Sequence, residues 1–135
     1  MKNPDEAKRW LEESIEELKT AHWDLEGKQY NAVCFWCQQA AEKALKSYLY
    51  YVGERVIWEH SVGELAKKCA NYDKNFTKLI EKGIILDKYY IPTRYPNGLP
   101  YPLVPTKSFT EDESAEALSL AEEIINLVKS KVTGK

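Results

Sequence analysis

Apolar residues recur at helical spacing along most of the chain. In the first stretch, the positions that share one helix face follow steps of four and three residues: Leu11, Ile15, Leu18, His22 and Leu25. Asn3 and Pro4 are typical of a helix start, because asparagine accepts a free backbone N–H and proline has none to leave unpaired. Gly27 is typical of a helix end. This pattern predicts a first helix between Asn3 and Gly27.

A second stretch predicts a helix over about Tyr30–Val52, which Gly53 ends. Residues 31–37 are apolar nearly all round, so we expect this helix to be central and buried on several sides. The segment Ser61–Glu64 has the spacing of a capping box, in which each side chain bonds a backbone N–H near the other. It predicts a short third helix that continues to about Tyr72.

The second half of the chain predicts two more helices and a long loop. Asp73 is placed to cap a fourth helix, which should end before Ile91-Pro92 because the residue before proline disfavours helical geometry. Thr110–Glu113 is another capping box, and the helix that it starts carries the clearest apolar stripe: Ala117, Leu118, Ala121, Ile124, Ile125 and Val128. Between these helices, residues 89–105 hold five of the six prolines. Loops this long in small domains are often functional.

No segment alternates between apolar and polar residues with a period of two, as a strand would. We therefore predict an all-α fold in a single domain, residues 1–135. It is an up-and-down bundle of four main helices and one short helix, with the proline-rich loop before the last helix.

Composition narrows the functional classes. The chain has 19 Lys and Arg against 21 Asp and Glu, with 44% apolar and 30% charged residues. These values predict a soluble globular protein without a membrane span, and they argue against a broad phosphate-tracking surface. A local cationic site stays compatible with them. The N-terminus is not a signal peptide, and the odd number of cysteines favours free thiols in the cytoplasm.

The central helix carries a polar line through an apolar element. Gln38, Glu42 and Lys46 follow one another at intervals of four, with Gln39 and Lys43 beside them. One interpretation is a solvated helix face supported by a Glu42–Lys46 ion pair. The other is one wall of a polar cleft that faces the proline-rich loop.

Arg94 lies in the proline-rich loop between Thr93 and Tyr95, shortly after Tyr89 and Tyr90. Its planar guanidinium suits phosphate or carboxylate, and tyrosine rings stack on bases or on the guanidinium itself. The alternative is that Arg94 caps the carbonyl groups at the end of the fourth helix while the tyrosines fill the core.

Arg55 and His60 have an R-x4-H spacing. Such a pair suits RNA cleavage without a metal, since histidine moves protons and arginine holds phosphate charge. The alternative is that His60 packs over the start of the third helix. Cys34 and Cys37 have a spacing that metals use, but a structural zinc site needs four ligands, so we predict no metal and no cofactor.

Three blocks of the sequence resemble the signature of HEPN domains (higher eukaryotes and prokaryotes nucleotide-binding). They are residues 34–46 (CFWCQQAAEKALK), His60-Ser61, and residues 86–96 (LDKYYIPTRYP). The resemblance implies a helical bundle, nucleotide binding, and a homodimer or higher oligomer. It also implies a minimal nucleotidyltransferase partner in a two-component, toxin–antitoxin-like system. A large subset of the family are metal-independent ribonucleases with R-x(4–6)-H across a dimer cleft.

The sequence departs from that ribonuclease pattern. In the family's nucleases the pair lies on or at the start of a later helix, whereas Arg55 and His60 fall in the loop before the third helix. Arg94 lies nearer the expected place, but no histidine follows it within six residues. We therefore expect nucleotide or RNA binding rather than cleavage, at these positions: Gln39, Lys43, Lys46, His60, Tyr90, Arg94 and Tyr95. Cleavage would use His60 with Arg55 or Arg94, and a third hypothesis is a purely structural oligomerisation partner.

Overall fold

The computed structural model describes residues 2–134, and all regular secondary structure in that range is helical, with no β-strand. The five α-helices are α1 (Pro4–Glu26), α2 (Tyr30–Val52), α3 (Val62–Tyr72), α4 (Ile80–Asp87) and α5 (Glu111–Thr133). Three short 3-10 segments, Lys74–Leu79, Pro96–Gly98 and Pro105–Lys107, lie between them. The predicted all-α class is confirmed.

Helix α2 is the centre of the bundle, as its apolar first half predicted. It packs against α1, α3, α4 and α5, and most of its residues from Val33 to Leu49 are buried. Helices α1, α2 and α5 have 23 residues each and form the body of the fold. Helices α3 and α4 are shorter and pack against one another near the middle of the chain.

Most helix ends follow the predicted caps, whereas of the predicted Ser61–Glu64 capping box only the bond from the Glu64 N–H to the Ser61 side chain forms and the Glu64 carboxylate pairs with Lys67. The Asn3 side chain accepts the Glu6 N–H, and Thr110 and Glu113 form a complete capping box. Gly53 ends α2 in the left-handed conformation, with φ of 111°, which glycine adopts without steric cost. Gly27 also ends α1, but there the left-handed residue is Lys28, with φ of 58°.

The fourth helix begins later than the sequence predicted. Asp73 accepts the Asn75 N–H as a cap, but the residues that follow form the 3-10 segment Lys74–Leu79, and α4 starts only at Ile80. Phe76 and Leu79 are both fully buried. A 3-10 helix has three residues per turn, so it points two side chains at this spacing into the same core.

Two glycines bring α4 against the start of α3. A Cβ atom on Gly83 would lie 2.8 Å from the Gly63 nitrogen, and one on Gly63 would lie 2.7 Å from an Ile84 side-chain carbon. Any larger residue would push the helices apart. This close contact lets Asp87, at the end of α4, reach the backbone at the start of α3.

Candidate functional site

The polar line of α2 is buried and does not form a solvated face. Gln38, Glu42 and Lys46 are at most 4% exposed. The Gln38 amide donates to the backbone carbonyl of His60 at 3.0 Å, and Gln39 donates to Gln38 at 2.7 Å. The line therefore joins α2 to the segment that precedes α3. The expected exposure of this face is wrong, whereas the expected Glu42–Lys46 ion pair is present.

Glu42 holds two groups with one carboxylate oxygen. Its Oε2 accepts a hydrogen bond from Lys46 Nζ at 3.0 Å and lies 3.2 Å from His60 Nδ1. Within the described residues its Oε1 is buried without a partner. A carboxylate accepts hydrogen bonds, so this contact places a proton on Nδ1 and directs the histidine's chemistry to Nε2.

The exposed His60 ring continues into an aromatic cluster. It stacks on Tyr90 with a centroid distance of 5.7 Å and an interplanar angle of 14°. The Arg94 guanidinium carbon lies 4.8 Å from the Tyr90 ring, 4.6 Å from Phe35 and 5.0 Å from Tyr95. We call these five residues the ring cluster.

Arg94 also binds a backbone carbonyl, but in the turn that follows α4 and not at the helix end that the structural alternative predicted. Its Nε and Nη2 donate to the Tyr90 carbonyl at 2.9 and 2.7 Å. A guanidinium has five N–H groups, so three stay available at an exposed side chain. A backbone contact and anion binding are thus compatible at Arg94. The backbone contact orients the guanidinium, and the remaining N–H groups are able to meet an anion.

Two cavities adjoin the ring cluster. The smaller, about 180 Å³, is lined by His60, Ser61, Asp87 and Tyr90, and we call it the His60 notch. The larger, about 340 Å³, lies between α2 and the proline-rich loop, and we call it the loop pocket. The loop pocket is lined by Asn31, Ala32, Phe35, Thr93, Arg94, Pro96, Pro105 and Thr106.

Asp87 shapes the floor of the His60 notch, and the sequence reasoning missed it. Its carboxylate accepts from the Ser61 hydroxyl at 2.7 Å and from the Val62 and Gly63 N–H groups at 2.6 and 3.1 Å. A carboxylate thus already occupies the positive end of α3, where a phosphate would otherwise bind. No local pattern marks Asp87, because its partners lie about 25 residues earlier in the chain.

Lys46 is buried beneath the ring cluster and does not lie on its surface. Its side chain is 6% exposed, and its ammonium lies 5.6 Å from the Trp10 ring centroid besides pairing with Glu42. The expected role of Lys46 as a ligand-facing charge does not fit this burial. Its role here is to hold Glu42.

Lys43 and Arg55 lie on other cavities. Lys43 pairs with Glu17 of α1 and lines a cavity of about 500 Å³. That cavity is rimmed by acidic residues, which repel phosphate: Glu6, Glu12, Glu13 and Glu16. Arg55 lines a separate cavity near the start of α1. The structure therefore brings together His60, Tyr90, Arg94 and Tyr95 and leaves Lys43 and Arg55 outside.

Glu17 is the buried carboxylate beside Lys43. Burial raises its pKa from 4.5 to about 7, and the neighbouring Glu13 adds to this while Lys43 opposes it. Its Oε1 has no partner within residues 2–134. Neutral pH therefore lies close to the titration of a group between α1 and α2.

The three cysteines are free, fully buried and unsuited to reaction. Burial raises the pKa of the Cys34 thiol to about 12, and it also raises the pKa values of Cys37 and Cys69. Thiolates are the nucleophilic and metal-binding form, so these thiols pack as small apolar groups. In the part of the chain that the structure describes, no three His, Cys, Asp or Glu side chains are grouped to hold a metal ion.

Comparison with known proteins decides the family. The family model described as "HEPN domain" matches residues 7–131 of this chain. The chain belongs to the HEPN domain family. A Thermus thermophilus protein of known structure is 38% identical to this HEPN domain, with a TM-score of 0.87, and the match covers 94% of this chain and 98% of that one.

Other relatives are more distant. An archaeal HEPN homologue is 29% identical with a TM-score of 0.77, covering 95% of this chain and 98% of that one. A Thermotoga maritima HEPN domain protein is 25% identical with a TM-score of 0.72, over 93% and 98%. Human sacsin is 29% identical over 137 residues, 96% of this chain but 3% of sacsin. Between residues 2 and 134, no helix is long and apolar enough to span a bilayer.

Proposed function

We propose that this HEPN domain binds a nucleotide, or the unpaired bases of RNA, at the ring cluster. The observation that carries the proposal is the exposed His60 ring, stacked on half-buried Tyr90, beside Arg94, a guanidinium that keeps three N–H groups for an anion. Ring faces take bases of any sequence, and a guanidinium matches the oxygens of phosphate. The family's association with nucleotide and RNA binding supports the same assignment.

The cluster is preorganised for such a ligand. Glu42 and Lys46 hold the His60 ring from below, and the Tyr90 carbonyl holds Arg94. A ligand that meets side chains already in position loses less free energy in ordering them. Tyr95, which is 49% exposed, supplies a further ring face beside the guanidinium.

Titration calorimetry with the four ribonucleoside monophosphates and a short single-stranded RNA tests this function. Arg94→Ala should weaken binding at least about tenfold, because it removes the phosphate donor. Arg9→Ala is the matched control, since Arg9 is an exposed arginine on the acidic side of α1. The proposal fails if Arg94→Ala binds as well as the parent, or if no probe binds the parent.

A second candidate is metal-independent RNA cleavage. The Glu42–His60 contact favours it, because a carboxylate that fixes Nδ1 leaves Nε2 as a proton donor or acceptor. Arg94 contacts the same Tyr90 ring as His60, whereas Arg55 lies on another cavity. Cleavage of total RNA in EDTA, lost in His60→Ala and retained in His22→Ala, is expected. The purified protein's failure to cleave would exclude this role.

Family resemblance also supports a homodimer and a minimal nucleotidyltransferase partner. Exposed apolar side chains supply surface for such contacts, among them Trp58 at 81% and Trp23 at 74%. Light scattering after gel filtration should give the mass of a dimer. Co-expression with the product of the adjacent open reading frame should give a stable complex. Complex formation without any nucleotide binding would favour the purely structural role.

A further inference from the structure

Arg94 joins two cavities that share no lining residue. On one side, its guanidinium contacts Tyr90, a wall of the His60 notch; on the other, it contacts Phe35, a wall of the loop pocket. The three remaining N–H groups of Arg94 thus lie between two separate aromatic surfaces. A mononucleotide has one base and would use only one of these surfaces.

The loop pocket is an open, mostly apolar depression of ligand-sized volume. Its volume of about 340 Å³ falls within the usual range for ligand pockets, whereas the His60 notch, at about 180 Å³, falls below it. Its walls are the Phe35 ring, Pro96, Pro105 and Ala32, which offer apolar contact to a flat ring. Such a lining suits a heteroaromatic base.

A few polar groups accompany this apolar lining. The Asn31 amide donates to the Thr93 carbonyl at 3.1 Å, which fixes the side chain and leaves its oxygen as an acceptor. The Thr106 hydroxyl lies at the exposed rim. Convergent polar groups of this kind orient a ligand in an otherwise apolar pocket.

We propose that the loop pocket is a second base subsite, so that the ligand is two nucleosides joined by a phosphodiester. One base stacks on the His60–Tyr90 surface, the linking phosphate meets Arg94, and the second base enters the loop pocket. The proposal rests on the proposed function and specifies its ligand. Both bases must be unpaired, because a base pair does not fit into two separate cavities.

Calorimetry with AMP, the dinucleotide ApA and oligo(A) six nucleotides long, repeated for the other three bases, tests the second subsite. The best dinucleotide should bind at least about fivefold tighter than its mononucleotide, since one stacked base contributes that much or more. If the six-nucleotide RNA binds tighter than its several overlapping dinucleotide steps explain statistically, the source is single-stranded RNA. Binding no tighter than this statistical gain identifies the dinucleotide unit itself as the whole ligand.

Thr106→Trp blocks the rim of the loop pocket without removing a buried side chain. It should reduce dinucleotide affinity to the level that a mononucleotide shows for the same variant, and it should weaken mononucleotide binding less, because a mononucleotide keeps the His60–Tyr90 surface. Val104→Trp, in the same loop but outside the pocket, is the matched control and should change neither. The second subsite is refuted if the mononucleotide and dinucleotide bind equally, or if Thr106→Trp leaves dinucleotide affinity unchanged. If no nucleotide binds at all, the proposed function fails as well.

Discussion

Among residues 2–134 of this HEPN domain, two histidine–glutamate pairs have the same separation and different surroundings. His60 Nδ1 lies 3.2 Å from Glu42 Oε2, and His22 Nε2 lies 3.2 Å from Glu122 Oε1. The histidines are similarly exposed, at 59% and 54% of their side chains. The carboxylates are not, since Glu42 is 5% exposed and Glu122 is 46% exposed.

The two pairs differ in their surroundings and in the ring nitrogen that faces the carboxylate, not in distance. Glu122 is about half exposed, and at such a site solvent and salt screen a neighbouring charge. Glu42 is buried with Lys46, so its position is determined by packing and its charge must be compensated. A histidine held by such a carboxylate is an oriented group, whereas His22 is a surface contact.

The largest expected difference between the two pairs is in stability. Glu42→Ala leaves the Lys46 ammonium buried without its partner and should lower the free energy of unfolding by about 3–5 kcal/mol. Glu122→Ala should lower it by no more than about 1 kcal/mol. Urea denaturation followed by circular dichroism measures both. Similar losses of unfolding free energy in the two variants would contradict the distinction between a buried and an exposed pair.

Glu17, a third buried or half-buried carboxylate to set beside Glu42 and Glu122, should make the free energy of unfolding depend on pH. This effect should be smaller than that of Glu42→Ala. The pKa of Glu17 is raised to about 7 by burial, so between pH 4.5 and 7 the folded protein keeps a proton that the unfolded chain releases. The free energy of unfolding should therefore fall as pH rises through this range, by up to about 3 kcal/mol. Glu17→Gln should remove this fall.

Urea denaturation between about pH 2.5 and 8 measures this effect. Well below pH 4.5 the parent's Glu17 is protonated in both the folded and the unfolded state, so the pH dependence of parent and variant should agree there, which is the internal control. Parallel curves for the two proteins across the whole range would contradict the raised pKa.

Removal of either histidine should change the free energy of unfolding by less than the pH effect of Glu17. His60→Ala loses the Glu42 contact and the Tyr90 stack and should cost about 1 kcal/mol. His22→Ala should cost less than about 0.5 kcal/mol, because both partners are exposed. Thermal unfolding of the two variants in the same buffer measures the difference. A larger loss for His22→Ala would reverse the ranking.

The smallest expected effect is the change with salt in the coupling free energy of each histidine–glutamate pair. In a double-mutant cycle, the coupling of His22 with Glu122 should be about 0.5 kcal/mol or less and should vanish in about 1 M sodium chloride. The coupling of His60 with Glu42 should persist in that salt, since the buried carboxylate is poorly screened. Loss of both couplings in high salt would show that the two pairs are equally screened and would contradict this prediction.

The helices were predictable because their signals are local. Asn3, Gly53 and Thr110 act within four residues of their own positions, and the structure confirms all three caps. At the fourth helix, the local signal from the Asp73 cap gave a wrong start for the helix. Asp73 does cap, but the burial of Phe76 and Leu79 against other elements favours a 3-10 segment there.

The candidate site was only partly predictable, for a related reason. Helical spacing shows that Gln39, Lys43 and Lys46 lie on α2, but not which neighbour each one meets. Packing turns Lys43 toward Glu17 and buries Lys46 beside Trp10, so neither charge joins Arg94. Phe35 lies in the apolar run of residues 31–37, which predicts burial, and only the path of the proline-rich loop places Arg94 against it.

Sequence alone was enough to locate most helix boundaries to within a few residues, the buried central helix and the membership of the HEPN family. These properties follow from contacts between near neighbours and from blocks of adjacent residues. The packing of the helices was needed to show that Glu42 holds His60, that Asp87 fills the start of α3, and that Arg94 lies between two cavities. Those contacts join residues 18 to 59 positions apart, and their geometry depends on how whole helices meet.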